Sequence, residues 1–286
     1  MIKTILVPTD YSKNAHNAVR YAVELAHLTG AKITFFHSYY LPIYVKNIPK
    51  DTAAEAGLRK EVSETLDAIL KDKKYAASDI KYDIIVKDGS STVNEIVGIA
   101  KEIAADMIVM GTKGSTGVGE VIFGSNTHDV IEKTEIPVLA IPIKAASLEF
   151  KNIVFATNYH FNDFNALDDL VLIAKLFDSR ITVLHIDDGE MIHDFEYSML
   201  DTFHLQVTEK ADYPNIHFQL LENKNVFEGL QDFIHHNEID LLALSSRKKV
   251  LYNRLFGKSI SRKMAYHADI PLMIFKIAED DEITDF

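Results

Sequence analysis

Met107-Ile-Val-Met110-Gly111-Thr112-Lys113-Gly114-Ser115-Thr116-Gly117-Val-Gly119-Glu-Val-Ile-Phe-Gly124-Ser125-Asn126-Thr127 runs from four apolar residues through a glycine-studded loop into a helical pattern. The apolar run reads as a buried strand. Gly111–Asn126 then carries five glycines and four hydroxyl residues in sixteen positions. Glycine permits positive φ and lets a ligand approach bare N–H groups. Gly124-Ser125 opens the helix expected over Asn126–Lys133, whose first turn offers unpaired N–H donors and the positive end of its dipole. Strand, glycine loop and helix start in succession make a place to hold phosphates. They also make one step of an alternating strand–helix chain, and that alternation decides the fold.

The same alternation extends toward the N-terminus. Ile5–Pro8 reads as a strand, and Ala15, Ala18, Val19, Ala22, Val23 and Ala26 follow at helical spacing, with Gly30 as the stop. Ile33–His37 is a second strand. Leu58, Val62, Leu66 and Ile69 mark a second helix, and Tyr82–Val86 a third strand. Thr92-x-x-Glu95 has the form of a capping box ahead of Ile96, Val97, Ala100 and Ile103. Met107–Met110 and Val138–Ile141 complete the set. Strands separated by helices pair in parallel through right-handed crossovers, and all-apolar strands are covered on both faces. Such sheets bind ligands beyond the carboxyl ends of their strands, where strand order reverses. Asp10 and Gly111 both stand at such ends.

The unit occurs twice. Lys3-Thr-Ile-Leu-Val-Pro-Thr-Asp-Tyr11 corresponds to Lys151-Asn-Ile-Val-Phe-Ala-Thr-Asn-Tyr159 at an offset of 148 residues, and Ala31–His37 corresponds to Ser179–His185 at the same offset. Ala105–Met110 matches Ile239–Leu244, and Ile136–Ile141 matches Ile270–Phe275. Order and chemistry agree, so the chain is a tandem repeat of one domain. The expected organisation is α/β, two tandem doubly wound five-stranded parallel-sheet domains over residues 1–145 and 149–286, joined near Ala145-Ala-Ser147.

The totals suit this. A chain of 286 residues is long for one compact α/β unit and natural for two, and 47% hydrophobic residues suffice for two cores. The absence of cysteine excludes disulfides, thiolate zinc sites and a cysteine nucleophile. Met1-Ile-Lys-Thr leads straight into a core-type strand with no secretory leader, and no run approaches a membrane span, so a cytoplasmic protein without membrane contact is expected. A net charge of −12 argues against nucleic-acid binding, which needs a basic face. It also leaves phosphate capture to local N–H donors. The acidic end, Glu279 to Asp285, reads as a solvated tail.

Two commoner nucleotide motifs fail. Gly117-Val-Gly119 begins like a dinucleotide fingerprint, but Ile122 stands where the third glycine belongs. Gly257-Lys258-Ser259 ends like a P-loop, but Tyr252 replaces its first glycine. The pattern that does match is G-x2-G-x9-G-[ST], filled by Gly111, Gly114, Gly124 and Ser125. Together with Asp10 at the end of Ile5-Leu-Val-Pro8-Thr, it resembles the universal stress protein family in its adenine-nucleotide-binding branch. The glycine pattern is complete in the first half, and the general fold pattern extends over both.

That resemblance implies an adenine nucleotide alpha hydrolase-like fold that binds ATP or another adenine nucleotide, with or without Mg. It implies that Asp10 fixes the adenine or ribose, and that the backbone of Pro8 and Ser38 borders the base, an aliphatic residue being more usual at 38. Gly111, Thr112, Lys113, Gly114, Ser115, Thr116 and Gly117 would wrap ribose and phosphates with main-chain N–H groups. Gly124, Ser125, Asn126 and Thr127 would present the helix N-terminus and hydroxyls. Read from the residues alone, Asp10 followed by Tyr11-Ser12 also suits a helix cap, the loop suits a flexible connection, and Lys113 suits a solvated lysine.

No catalytic apparatus stands out, since phosphoryl transfer needs a positioned base and usually a metal. Any hydrolysis is expected to be slow, with a role for Asp10 as its test. The second half breaks the pattern: Asn158 replaces Asp10, Ser245 replaces Gly111 and Lys248 replaces Gly114. Those side chains would obstruct phosphate, so the second domain is expected to keep the fold and lose ordinary ATP binding. Its basic run Ser245-Ser-Arg-Lys-Lys249 reads as a solvated loop. His185-Ile-Asp187-Asp188 with His193 offers zinc-type donors, but His185 repeats His37 and so reads as part of the shared fold. Two roles compete: a nucleotide-binding stress regulator whose second domain is a structural pseudo-dimer partner, and a nucleotide-independent interaction module. In either, Pro137–Ile141 and Pro271–Phe275 are edge strands whose pairing within the chain, or in a homo-oligomer, would cover an exposed edge.

Overall fold

The computed structural model describes residues 1–10, 12–39, 79–88, 91–112, 124–145, 149–159, 163–189, 193–247 and 269–277, with positions 56, 57, 60, 63, 64 and 71 between them. The helix positions Leu58, Val62, Leu66 and Ile69 lie outside these residues. The chain divides into two compact units, Met1–Leu148 and Glu149–Phe286.

In the first unit the described elements are β1 (Thr4–Pro8), α1 (Lys13–Thr29), β2 (Lys32–Tyr39), β3 (Tyr82–Asp88), α2 (Thr92–Glu102), β4 (Met107–Gly111), α3 (Ser125–Lys133) and β5 (Val138–Ile141). The strand order is β3-β2-β1-β4-β5, with every ladder parallel. Ile5, Leu6 and Val7 are all fully buried. Successive strand residues point to opposite faces, so β1 is covered on both sides, as its unbroken apolar run requires.

The periodic residues of α1 are its buried face: Ala15, Ala18, Val19, Ala22, Val23 and Ala26 are all inside, joined by Tyr21 and Leu25. Ser12 caps the helix, its Oγ accepting from Ala15 N at 3.2 Å. Gly30 ends it in the left-handed region at φ +72°, its N–H donating to Ala26 O. A Cβ at Gly30 would meet nothing within 4 Å, so Gly30→Ala costs only the backbone term, about 1 kcal/mol in urea unfolding. The exposed helical Gly98 is equally roomy and has no positive φ. There the same substitution should stabilise by about 0.5–1 kcal/mol.

The capping box expected at Thr92 is displaced by one residue. Ser91 is the cap, extended, with Oγ accepting from Asn94 N at 3.4 Å. Thr92 thereby becomes the first helical residue. Glu95 then falls one position too far along for the reciprocal bond, and its N–H closes the first turn on Ser91 O.

The second unit repeats the plan with β6 (Asn152–Ala156), α4 (Asp163–Phe177), β7 (Arg180–Asp187), α5 (His193–Lys210), β8 (Ile216–Glu222), α6 (Val226–His236), β9 (Leu241–Arg247) and β10 (Leu272–Ile277). Its order is β8-β7-β6-β9-β10, again all parallel. The repeat extends to single bonds. Asp106 Oδ2 accepts from Lys3 N and Thr4 N at 2.7 and 2.8 Å, and Asp240 Oδ2 accepts from Lys151 N and Asn152 N at 2.9 and 2.8 Å. Each aspartate pins the amino end of its unit's first strand.

Candidate functional site

In the first unit the chain winds from β1 to β2 and β3 on one side, then to β4 and β5 on the other. The carboxyl ends of β1 and β4 therefore flank the reversal, where a doubly wound sheet leaves a crevice. Pro8 is the buried last residue of β1. Thr9 follows, its N–H donating to Phe36 O at 2.9 Å and its carbonyl accepting from His37 Nδ1 at 2.8 Å. Since a carbonyl only accepts, Nδ1 carries the proton. Asp10 is half-buried, and its Oδ1 accepts from Ser12 N at 3.1 Å, an Asx turn that aims Ser12 at the helix. Capping of α1 belongs to Ser12, and Asp10 supports it. Ser38, near the end of β2, is half-buried, yet its Oγ is shielded from solvent and has no hydrogen-bond partner among the described residues.

Among the described residues, three bonds hold the end of β4 and the start of α3 in place. Thr112 N donates to Ile141 O at 3.0 Å, Gly124 N to Thr112 O at 2.6 Å, and Thr127 Oγ1 to Gly111 O at 2.8 Å. The helix begins at Ser125, one residue earlier than expected. Gly124 is its extended N-cap and brings no side-chain bond to the first turn. Ser125 and Asn126 are exposed, whereas Thr127 is buried with its hydroxyl committed to Gly111. Among the described residues no side chain caps this helix start, which is tied to the sheet edge through Gly111 and Thr112. Lys113, Gly114, Ser115, Thr116 and Gly117 lie outside the described residues.

Gly111 has a role that the sequence did not announce. A Cβ there would stand 2.9 Å from both the carbonyl carbon and the oxygen of Asn14, and 3.0 Å from its Cβ. The glycine is required because the first turn of α1 lies against it. Asn14 itself is buried, and among the described residues its Oδ1 has no hydrogen-bond partner. Buried polar atoms ordinarily have partners. Two orphaned ones, on Asn14 and Ser38, therefore lie at the same edge as an uncapped helix start and a half-buried carboxylate. Amide donors suit an anion, and Asp10 suits hydroxyl or amino donors. The residues present fit a nucleotide.

The second unit builds the same edge differently. Thr157 N donates to Leu184 O at 3.0 Å and Thr157 O accepts from His185 Nδ1 at 2.8 Å, repeating Thr9 and His37. His185, on which a zinc site would turn, is thus a strand-end clamp of the shared fold. Asp187 Oδ1 accepts from Gly189 N at 2.7 Å. Among the described residues no three His, Cys, Asp or Glu side chains are grouped to hold a metal ion. Asn158 stands in Asp10's place, its Oδ1 buried and, among the described residues, without a hydrogen-bond partner. Ser245, in Gly111's place, donates from Oγ to Asp163 Oδ1 at 2.6 Å. Thr157 Oγ1 donates to Asp163 Oδ2 at 2.5 Å and accepts from Tyr159 N at 2.8 Å. Lys248, Lys249, Gly257, Lys258 and Ser259 lie outside the described residues. No described helix is long and apolar enough to cross a membrane.

Residues 1–142 and 149–276 each match the universal stress protein family. Universal stress protein MJ0577 of Methanocaldococcus jannaschii is 30% identical over 158 residues, spanning 50% of this chain and 97% of its own length. Universal stress protein MJ0531 of the same organism is 30% identical over 142 residues, spanning 49% of this chain and 82% of its own. The crystal structure of a universal stress protein from Archaeoglobus fulgidus covers 96% of this chain and 98% of its own with a TM-score of 0.70. At its 16% identity the likeness is one of fold.

Proposed function

Since the chain belongs to the universal stress protein family, we propose that its first unit holds ATP or a related adenine nucleotide and that occupancy regulates the protein's contacts with other molecules. One observation carries this reading: the start of α3, tied to β4 through Gly124, Thr112, Thr127 and Gly111, has no side-chain cap among the described residues at the crevice between β1 and β4. Helix-start amides bind phosphate without a basic field, which suits a chain of net charge −12. Asp10 and the backbone at Pro8 and Ser38 would take the nucleoside. The amides of Ser125, Asn126 and Thr127 would take phosphate, together with the loop from Gly111 to Gly117. When bound, the nucleotide supplies charge and hydrogen-bonding groups that α3 and β1 otherwise lack. Each residue named is a binding group, so the reading is of a holder of nucleotide, with Mg serving at most to offset phosphate charge.

Isothermal titration of the purified protein with ATP, ADP and AMP tests this. Ser125→Pro gives the sharpest variant. Ser125 is the first helical residue, where proline is tolerated, and the extended Gly124 (ψ 151°) already suits a following proline. The substitution deletes one N–H donor and spares the helix. ATP affinity should fall at least ~10-fold, one charge-assisted hydrogen bond, while the melting temperature of the ligand-free protein stays within about 1 °C. No adenine-nucleotide binding by the unaltered protein would end the reading.

A further inference from the structure

We propose that the second unit fills its own cleft, with Tyr159 and Asp163 occupying the sheet edge at β6, β7 and β9 that the first unit leaves to a nucleotide. The proposal rests on the reading of the first unit given above, and it identifies the residues that restrict the ligand to one unit.

Tyr159 is the first occupant. It follows β6 by three residues, after Thr157, whose bonds to β7 repeat those of Thr9 to β2, and its counterpart in the sequence, Tyr11, lies outside the described residues. Its backbone adopts φ +56°, uncommon for a bulky side chain, and its N–H is held by Thr157 Oγ1. That turn sends the ring inward. It is only 4% exposed and lies between the rings of His185, at 4.9 Å between centroids, and Phe203, at 5.8 Å. The consequence shows in the strand beneath. His185, against which the ring lies, is 2% exposed, whereas its counterpart His37 is half-buried.

Asp163 is the second. It is 1% exposed, in the first turn of α4, and each carboxylate oxygen takes a hydroxyl, one from Thr157 at the end of β6 and one from Ser245 in β9. The corresponding residues of the first unit are Thr9, Ala15 and Gly111, which cannot form the bridge. A carboxylate that spans the edge between the first and fourth strands of its unit both blocks that edge and repels phosphate. The second cleft is therefore closed by shape through Tyr159 and by charge through Asp163. Removal of the ring alone should admit a neutral aromatic molecule and still refuse ATP.

Tyr159→Gly tests this in the full-length protein. Glycine accepts the positive φ, so the substitution removes the ring without adding strain. The melting temperature should fall by about 10 °C, and millimolar 4-methylphenol, the tyrosine side chain as a free molecule, should restore about half of that while leaving the unaltered protein unchanged. An unaltered melting temperature, or a fall without recovery, overturns the proposal. ATP titration should give one site per chain for both proteins, and two sites in the unaltered protein also overturns it. Zero sites would refute the nucleotide reading of the first unit, while the 4-methylphenol result would still decide this one. Should Tyr159→Gly fail to fold, NMR of the unaltered protein decides: saturating ATP should leave the His185 ring resonances in place while those of His37 move. A comparable shift at His185 overturns the proposal.

Discussion

Gly111→Ala should lower the melting temperature of the ligand-free protein by about 10 °C. The added methyl would sit 2.9 Å from two backbone atoms of Asn14, closer than real Cβ contacts come. Relief would require α1 to move away from β4. But α1 is anchored along its length by Ala15, Ala18, Ala22, Val23 and Leu25, all buried, and by Asn17 Nδ2, which donates to Pro142 O at 2.8 Å and Ala145 O at 3.1 Å. The end of β4 is equally fixed, by Thr127 to Gly111 O and by Thr112 N to Ile141 O. Two constrained elements forced apart cost about 3 kcal/mol, at the upper end for overpacking a core. Differential scanning calorimetry without nucleotide measures this directly. If Gly111→Ala melted like the unaltered protein and lost only ATP binding, the glycine would serve the ligand rather than the packing. Gly30→Ala, at a position with open space, provides the reference for an ordinary glycine replacement.

Gly111 also shows where sequence reading stops. The strands and helices are legible because their signals are local: the apolar runs of β1 and β4, the spacing from Ala15 to Ala26, Gly30 at its left-handed stop. The duplication is legible because order and chemistry recur together. It accounts for His185, which repeats the bond of His37 to a threonine carbonyl. Contacts between residues distant in the chain are hidden. Nothing near Gly111 in the sequence indicates that Asn14 lies against its Cα. The cap of α2 falls one residue from its expected place for a simpler reason: Ser91 and Thr92 both carry a hydroxyl, and only the backbone turn decides which one faces Asn94. The candidate site is legible as a motif, and its helix half is described through Gly124–Thr127. Ser38 stands out in the sequence as an unusual residue, but its buried Oγ, without a partner among the described residues, can be found only in three dimensions. In the second unit Ser245 is visible as a loss of glycine. Its engagement with Asp163, 82 residues away, is not.

Asp163→Ala should destabilise the protein by about 4 kcal/mol, measured by urea unfolding. The carboxylate accepts two short hydroxyl bonds inside the core, and charge-assisted bonds of that kind contribute about 1.5–3 kcal/mol each. Its removal also takes the acceptor from the half-buried Ser245 hydroxyl. Thr157, 1% exposed, keeps the bond its oxygen accepts from Tyr159 N but loses the acceptor of its own hydroxyl proton away from solvent. The two hydroxyls therefore respond differently, and a double-mutant cycle can separate them. Ser245→Ala alone should cost about 2 kcal/mol, since it leaves one carboxylate oxygen without its donor. Added to Asp163→Ala, the same change should cost almost nothing or restore some stability, because the hydroxyl it removes has already lost its acceptor. The coupling energy should then be at least ~1.5 kcal/mol, well beyond the few tenths expected of independent sites. Additivity within about 0.5 kcal/mol would mean that the bridge across β6, α4 and β9 contributes little and that the packing of Tyr159, His185 and Phe203 holds that edge alone. A large coupling would show that the bridge holds this sheet edge together, while the first unit, with Ala15 and Gly111 at the matching positions, has no such bridge to make.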